Sequence, residues 1–298
     1  MKPVNLLITG GSGFIGRALS QQLLDAGHGV WILSRNPAAH RGAMSAQINW
    51  VDSLQQIQAP IDVIINLAGA NLFDRRWTTA YKQQLLSSRL DTTRQLVDWI
   101  GNAAQTPGVM ISGSAIGYYG AQADQALGEQ APAGSDFQAE LCRRWEQAAQ
   151  AAEALGLRVC RLRIGIVLHP EGGALKRMLL PFRLGLGGRI GDGQQWMSWI
   201  HRQDLLEIMM LLIQNDDCRG AYNAVAPTPV RNAEFSQTLA AALRRPARLP
   251  MPPWLLRAVL GEAAHLLISG QRVVPEAALA QGMVFRYPAL AQAFKALL

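Results

Sequence analysis

The sequence predicts an α/β protein: a doubly wound parallel sheet with a smaller C-terminal substrate lobe. Three observations predict it. A short apolar run from Val4 to Thr9 leads directly into a glycine cluster, residues 10–16. Strand-like and helix-like segments then alternate from residue 4 to about residue 164, as parallel strands joined by crossover helices do. After Leu168 the alternation gives way to segments punctuated by glycine and proline. The expected division places 1–168 and 198–225 in the sheet domain, and 169–197 and 226–298 in the lobe.

The elements follow from periodicity. Val4–Thr9 reads as a buried strand, and Leu19 and Leu23 mark the helix after it, with Gly27 at its C-terminal end. Val30–Leu33 is the second strand and Ile61–Leu67 the third, ending in Asn66-Leu67-Ala68-Gly69. A helix over 80–100 carries Leu86, Leu90, Thr93, Val97 and Ile100 as its apolar stripe, with Arg89 outside it. Val109–Ser112 is a strand, 137–155 a long helix and Arg158–Ile164 another strand. Further on, a helix over 204–214, a strand over 221–225 and helices over 232–243, 253–260 and 288–297 are expected.

Composition narrows the class of protein. A chain of 298 residues suits two domains of roughly 150 residues, or one large domain with a lobe. Apolar residues make up 49% and charged residues 16%, which excludes a disordered or collagen-like chain. No run reaches the roughly 18 apolar residues of a membrane span, and no secretory h-region is visible, so a cytoplasmic location is expected. Cys142, Cys160 and Cys218 lie far apart without metal-ligand or CxxC spacing, so reduced, packed thiols and no metal are expected. The net charge is +7, and its base is nearly all arginine, which suits an anionic ligand. The basic residues look dispersed, so neither nucleic acid nor membrane is expected as a partner. A monomer or homodimer acting on a small molecule is the expectation.

The glycine cluster carries the clearest chemistry. A strand, a tight glycine turn and a helix leave free N–H groups at the positive end of the helix, where a pyrophosphate docks. Gly10, Gly11, Ser12, Gly13, Phe14, Ile15 and Gly16 form this turn: Gly10 makes the bend, Gly13 admits the phosphate and Gly16 lets helix and strand approach. A carboxylate after the second strand would favour NAD(H); none lies between Asp25 and Asp52. Ser34 and Arg35 stand there instead and favour NADP(H), although Arg35 also reads as a solvated turn residue. Leu67, Ala68 and Gly69 give the cofactor a small-residue surface, and Arg89 is a candidate for its phosphates.

The G-x-x-G-x-x-G spacing resembles the extended short-chain dehydrogenase/reductase superfamily, which implies a Rossmann fold. That resemblance also implies a catalytic serine, matched by Ser114, and a Tyr-x-x-x-Lys pair on the following helix. The helix instead reads Phe137-Gln138-Ala139-Glu140-Leu141, with phenyl and isobutyl groups where a phenol and an ammonium belong. This departure resembles the atypical "epimerase family protein" group, YfcH-like proteins with a small C-terminal domain. So do Arg76-Trp77-Thr78, Ser114–Gly120, Leu141–Glu146, Trp199-Ile200-His201 and Ala226–Asn232. Tyr118 and Tyr119 are candidate replacement phenols, or else packing residues. Lys82 is a candidate electrostatic partner, His201 a substrate ligand or structural histidine, and Arg163 and Arg183 anion ligands or internal ion pairs. Two functions follow: an oxidoreductase or epimerase acting by reversible hydride transfer, or an NADPH-binding module without turnover, which the resemblance links to cell division.

Overall fold

The computed structural model describes residues 2–298. The chain opens with β1 (Asn5–Thr9), α1 (Phe14–Asp25), β2 (Gly29–Leu33), a single turn α2 (Ala38–Arg41), β3 (Asn49–Val51) and β4 (Val63–Asn66). Then come α3 (Thr79–Gly101), β5 (Val109–Ala115), β6 (Ala126–Leu127), α4 (Phe137–Gln150), β7 (Arg158–Ile164) and β8 (Ile166–His169). The second half holds α5 (Gly173–Arg183), β9 (Trp196–Met197), β10 (Trp199–His201), α6 (Arg202–Gln214), β11 (Gly220–Ala224), β12 (Val230–Arg231) and α7 (Asn232–Ala242). It ends in α8 (Pro253–Leu260), α9 (His265–Ile268), β13 (Arg272–Val273), α10 (Glu276–Ala280) and α11 (Leu290–Leu297).

Seven strands form one sheet in the order β11-β7-β5-β4-β1-β2-β3, every neighbouring pair parallel. Alternation along β1 sends Leu6 and Ile8 to one face, against Leu19 and Leu23 of α1 and the apolar side of α6. Leu7 faces the other way, with Ile64, Met110 and Leu96 of α3. Both faces are covered, the condition under which an all-parallel sheet is stable. The strand order reverses between β1 and β4, so a crevice opens beyond their carboxyl ends.

Three expectations need correction. Helix α4 stops at Gln150, and residues 151–155 tighten into a 3-10 turn that leaves Leu155 exposed; Gly156, at φ +85°, ends it. Strand β5 runs on to Ala115, because all seven residues pair with β7, so Ser114 lies within the strand. The buried residues of α3 are Tyr81, Leu85, Arg89, Leu90, Thr93, Leu96 and Ile100, which places Arg89 among them. Its guanidinium is buried because it lies over the Trp145 ring, 5.2 Å from the centroid, and donates to the carbonyls of Leu85 and Ala70.

The smaller C-terminal part has its own core, where Phe235 and Phe294 meet edge to face among Leu175, Leu179 and Trp199. Buried side chains tie it to the sheet. Ser198 accepts from Val273 N and donates to Gln271 O, and Asp204 accepts from the backbone N–H groups of Arg286 and Tyr287. Glu129 accepts from Asn223 N and Ala277 N. Burial raises the carboxyls of Asp204 and Glu129 above the ordinary range.

Candidate functional site

The crevice is a cleft of about 2070 Å³. Gly10, Ser12 and Gly13 line one wall, Ser34 and Arg35 the end of β2, and Leu67, Ala68 and Gly69 the end of β4. Gly10 sits at φ +70°, and a Cβ there would lie 2.7 Å from the Leu67 carbonyl, so only glycine makes this bend. Gly13 caps α1 with extended backbone; no side chain caps the helix and no acidic residue stands in its first turn. Its positive end therefore faces the cleft uncompensated, a ready anion site.

The other residues of the turn act from behind. A Cβ on Gly16 would lie 2.4 Å from the Gly10 carbonyl, and one on Gly11 would meet Ile32, so these two glycines serve packing. Phe14 leaves the cleft to pack on Gly172, with the Arg202 guanidinium over its ring, and Ile15 packs against the sheet core. Arg89 does not line the cleft: it supports Gly69 from beneath, where a Cβ would come 2.8 Å from its guanidinium carbon. Thr9 joins the two rims, its hydroxyl donating to Asn66 and accepting from Ala68 N.

Sequence reasoning missed Asp52. It follows β3, whose Val51 carbonyl accepts from Ser34 N, and it lines the same cleft as Ser34 and Arg35. Its signal was a strand too short, at three residues, to stand out by periodicity.

Ser114, Tyr118 and Tyr119 come together around Arg163. Ser114 Oγ donates to Glu146 at 2.7 Å. Arg163 donates twice to the same carboxylate, at 2.8 and 2.9 Å, both partners being 3% exposed. Tyr119 is fully buried; its hydroxyl donates to Asn223 and accepts from Arg163, and burial pushes its pKa up to about 12. Arg163 also stacks on Tyr118, 3.5 Å from the ring centroid. Tyr118 is half-buried, and its hydroxyl makes no hydrogen bond among the described residues. Arg163 is thus an internal ion-pair residue, whereas Arg183 is exposed on the lobe.

Phe137 and Leu141, which stand at the phenol and ammonium positions, pack together with Trp77. Lys82 lies 5.1 Å over the Phe137 ring and pairs with Glu262 of the lobe. A second cavity of about 490 Å³ opens here, lined by Trp77, Phe137, Gln138, Arg257, Glu262 and His265. His201 lies elsewhere: it caps α6 by accepting from Gln203 N and stacks on Tyr287, and burial lowers its pKa to about 4, as befits a structural histidine. The three cysteines are free and buried, and among the described residues no His/Cys/Asp/Glu group is arranged to hold a metal. No helix among them is long and apolar enough to cross a membrane.

A reversing parallel sheet with a glycine turn and an uncapped helix at its switch point defines a dinucleotide-binding protein. The family description "NAD dependent epimerase/dehydratase family" matches residues 6–224, and "Domain of unknown function (DUF1731)" matches 251–297. The mouse epimerase family protein SDR39U1 is 41% identical over 98% of this chain and 99% of its own. YfhF of Bacillus subtilis (strain 168), also an epimerase family protein, is 38% identical over 95% of this chain and 94% of its own. The crystal structure of human SDR39U1 (isoform2) with NADPH superposes with a TM-score of 0.90 at 38% identity, covering 98% of both chains. The chain belongs to the NAD dependent epimerase/dehydratase family, among its epimerase family proteins, and carries a DUF1731 C-terminal domain.

Proposed function

We propose that the protein binds NADP(H) in the larger cleft and acts in the cytoplasm as an oxidoreductase or isomerase of the epimerase type. Its substrate would be a carbonyl or hydroxyl compound resembling a nucleotide sugar, held in the cavity beside Phe137. The human relative described with NADPH supports the cofactor. The residues fit it: the N-terminus of α1 takes the pyrophosphate, Ser34 and Arg35 the 2′-phosphate, and Asp52 the adenine amine. The nicotinamide, when bound, supplies or accepts hydride.

The observation that carries the reading is the Ser114–Glu146 hydrogen bond at the end of β5. As a substrate hydroxyl gives its proton to Ser114 Oγ, the serine's own proton passes along this hydrogen bond to Glu146, which ends protonated. Tyr118 supplies the phenol, since the Tyr119 hydroxyl is committed to Asn223 and Arg163. His265 suits an anionic substituent on the substrate.

A second reading, an NADPH-binding module without turnover, is favoured by Phe137 and Leu141, neither of which carries a proton. Purified protein incubated with NADPH and a panel of carbonyl compounds and nucleotide sugars separates the two. NADPH consumption that falls about 100-fold or more in Ser114→Ala supports the relay. Turnover that survives the substitution removes Ser114 from the mechanism, and tight NADPH binding without turnover supports the module.

Arg35 tests cofactor choice separately. Arg35→Ala is expected to weaken NADPH by about tenfold or more while leaving NADH nearly unchanged, because one charge-assisted bond to phosphate contributes about 1.5–3 kcal/mol. Equal losses for both coenzymes in a fluorescence titration would refute the assignment.

A further inference from the structure

The basic residues are unevenly spread along the chain. Segments 172–191 and 235–261 together hold eight of the 28 basic residues and none of the 21 acidic ones, leaving 20 basic against 21 acidic elsewhere. The positive charge of the whole chain therefore resides in these two segments. Lys176, Arg177, Arg183 and Arg189 belong to the first, and Arg244, Arg245, Arg248 and Arg257 to the second. All eight are exposed, and none joins an ion pair among the described residues.

The two segments lie side by side. Met251 N donates to Arg189 O at 2.8 Å, Gly191 N donates to Met251 O at 3.0 Å, and Gly188 lies against the Leu249 backbone. The same two segments carry most of the exposed apolar side chains. Leu180, Leu184 and Leu186 project from the end of α5 and its following loop, and Leu249 and Met251 from the adjoining segment. Helix α8 has no buried residue at all: Trp254, 68% exposed, and Val259, 62% exposed, stand out from it. Eight of the twelve exposed large hydrophobic residues of the described chain lie on these segments, counting Leu255.

We infer that this face of the C-terminal lobe docks on an anionic lipid bilayer. Protruding leucines and a tryptophan interleaved with unpaired arginines are what the headgroup and acyl boundary receives, the apolar groups entering while the guanidinium groups meet lipid phosphates. A second copy of the chain does not suit the face, because it would set eight positive charges against eight. Nucleic acid has no use for the aliphatic side chains, since strand binding relies on stacking aromatics and Trp254 is the one exposed aromatic here. The absence of a spanning helix bears only on crossing a membrane, not on lying against one.

The test is sedimentation of the full-length protein with vesicles of phosphatidylcholine alone, or with about a third phosphatidylserine. Binding is expected to the anionic vesicles only, and to weaken as salt rises from about 0.1 M to 1 M. Arg244→Gln/Arg245→Gln/Arg248→Gln is expected to weaken it about 100-fold, at about 1 kcal/mol per cation near the surface. Leu184→Ser/Leu186→Ser/Trp254→Ser is expected to abolish stable binding with all eight charges retained. Both variants should keep the wild-type circular dichroism spectrum and NADPH affinity, so that loss of binding is not loss of fold. Failure to sediment with anionic vesicles overturns the inference. So does full retention by the serine variant, which would mark plain electrostatic attraction, and so does tighter binding to an oligonucleotide or an acidic polypeptide than to the vesicles.

Discussion

Replacing Glu146 by alanine is expected to lower the melting temperature by roughly 10 °C, a larger stability effect than any surface substitution would give. Glu146 receives two hydrogen bonds from Arg163 and one from Ser114, with Arg161 also within 3.6 Å. Truncating it strands a guanidinium that is 3% exposed. Breaking one side of a buried pair costs about 3–5 kcal/mol, and each kcal/mol lowers the midpoint by about 2–4 °C in a domain of this size. Much of that cost is the abandoned charge. Glu146→Met combined with Arg163→Met should therefore recover part of the loss, though not all, because Arg163 also holds Tyr119 and the Glu129 carbonyl. Calorimetry on Glu146→Ala and on the double variant measures this. A drop below about 2 °C for Glu146→Ala would show that the pair is not sealed from solvent.

Replacing Gly13 by alanine should leave stability nearly unchanged and weaken NADPH binding by about 100-fold, or about 2.7 kcal/mol. The two effects separate because Gly13 has φ −78°, which alanine adopts freely. Its added methyl would meet only the Gly10 carbonyl, at 3.1 Å, so a shift of a few tenths of an ångström absorbs it. The methyl would stand where the helix brings its N–H groups to the phosphates. Gly10→Ala is the contrasting control: at φ +70° and 2.7 Å from the Leu67 backbone, it should lose stability as well. Unchanged NADPH affinity in Gly13→Ala, measured by calorimetry, would place the pyrophosphate elsewhere.

The sheet was readable in the sequence because its strands are buried on both faces and its helices on one. β7 was expected over the residues it occupies, and β1, β2 and β11 to within one residue. Arg89 was misread because periodicity counts apolar residues, and a guanidinium lying flat on indole satisfies a buried position as well as leucine does. The glycine turn announced the cleft, yet only Gly10, Ser12 and Gly13 of its seven residues line it; sequence spacing marks the turn without saying which atoms face outward. Glu146 escaped notice for a related reason. It lies 32 residues from Ser114, and only the packing of α4 on β5 brings the two together. The basic face was invisible because its halves are separated by more than forty residues and join through Met251 and Arg189.

The bonds that fasten Asp204 to the Arg286–Tyr287 backbone and Glu129 to Ala277 bear on how the molecule comes apart. Asp204 takes both of its hydrogen bonds from the distal segment and Glu129 one of its two, the other coming from Asn223, so detaching that segment would leave buried carboxyl oxygens unpartnered inside the sheet domain. These bonds cross the interval between the two family matches, which end at residue 224 and begin at residue 251. The two parts are therefore expected to unfold together, as one transition in calorimetry, because losing the distal segment uncovers polar groups buried in the sheet domain.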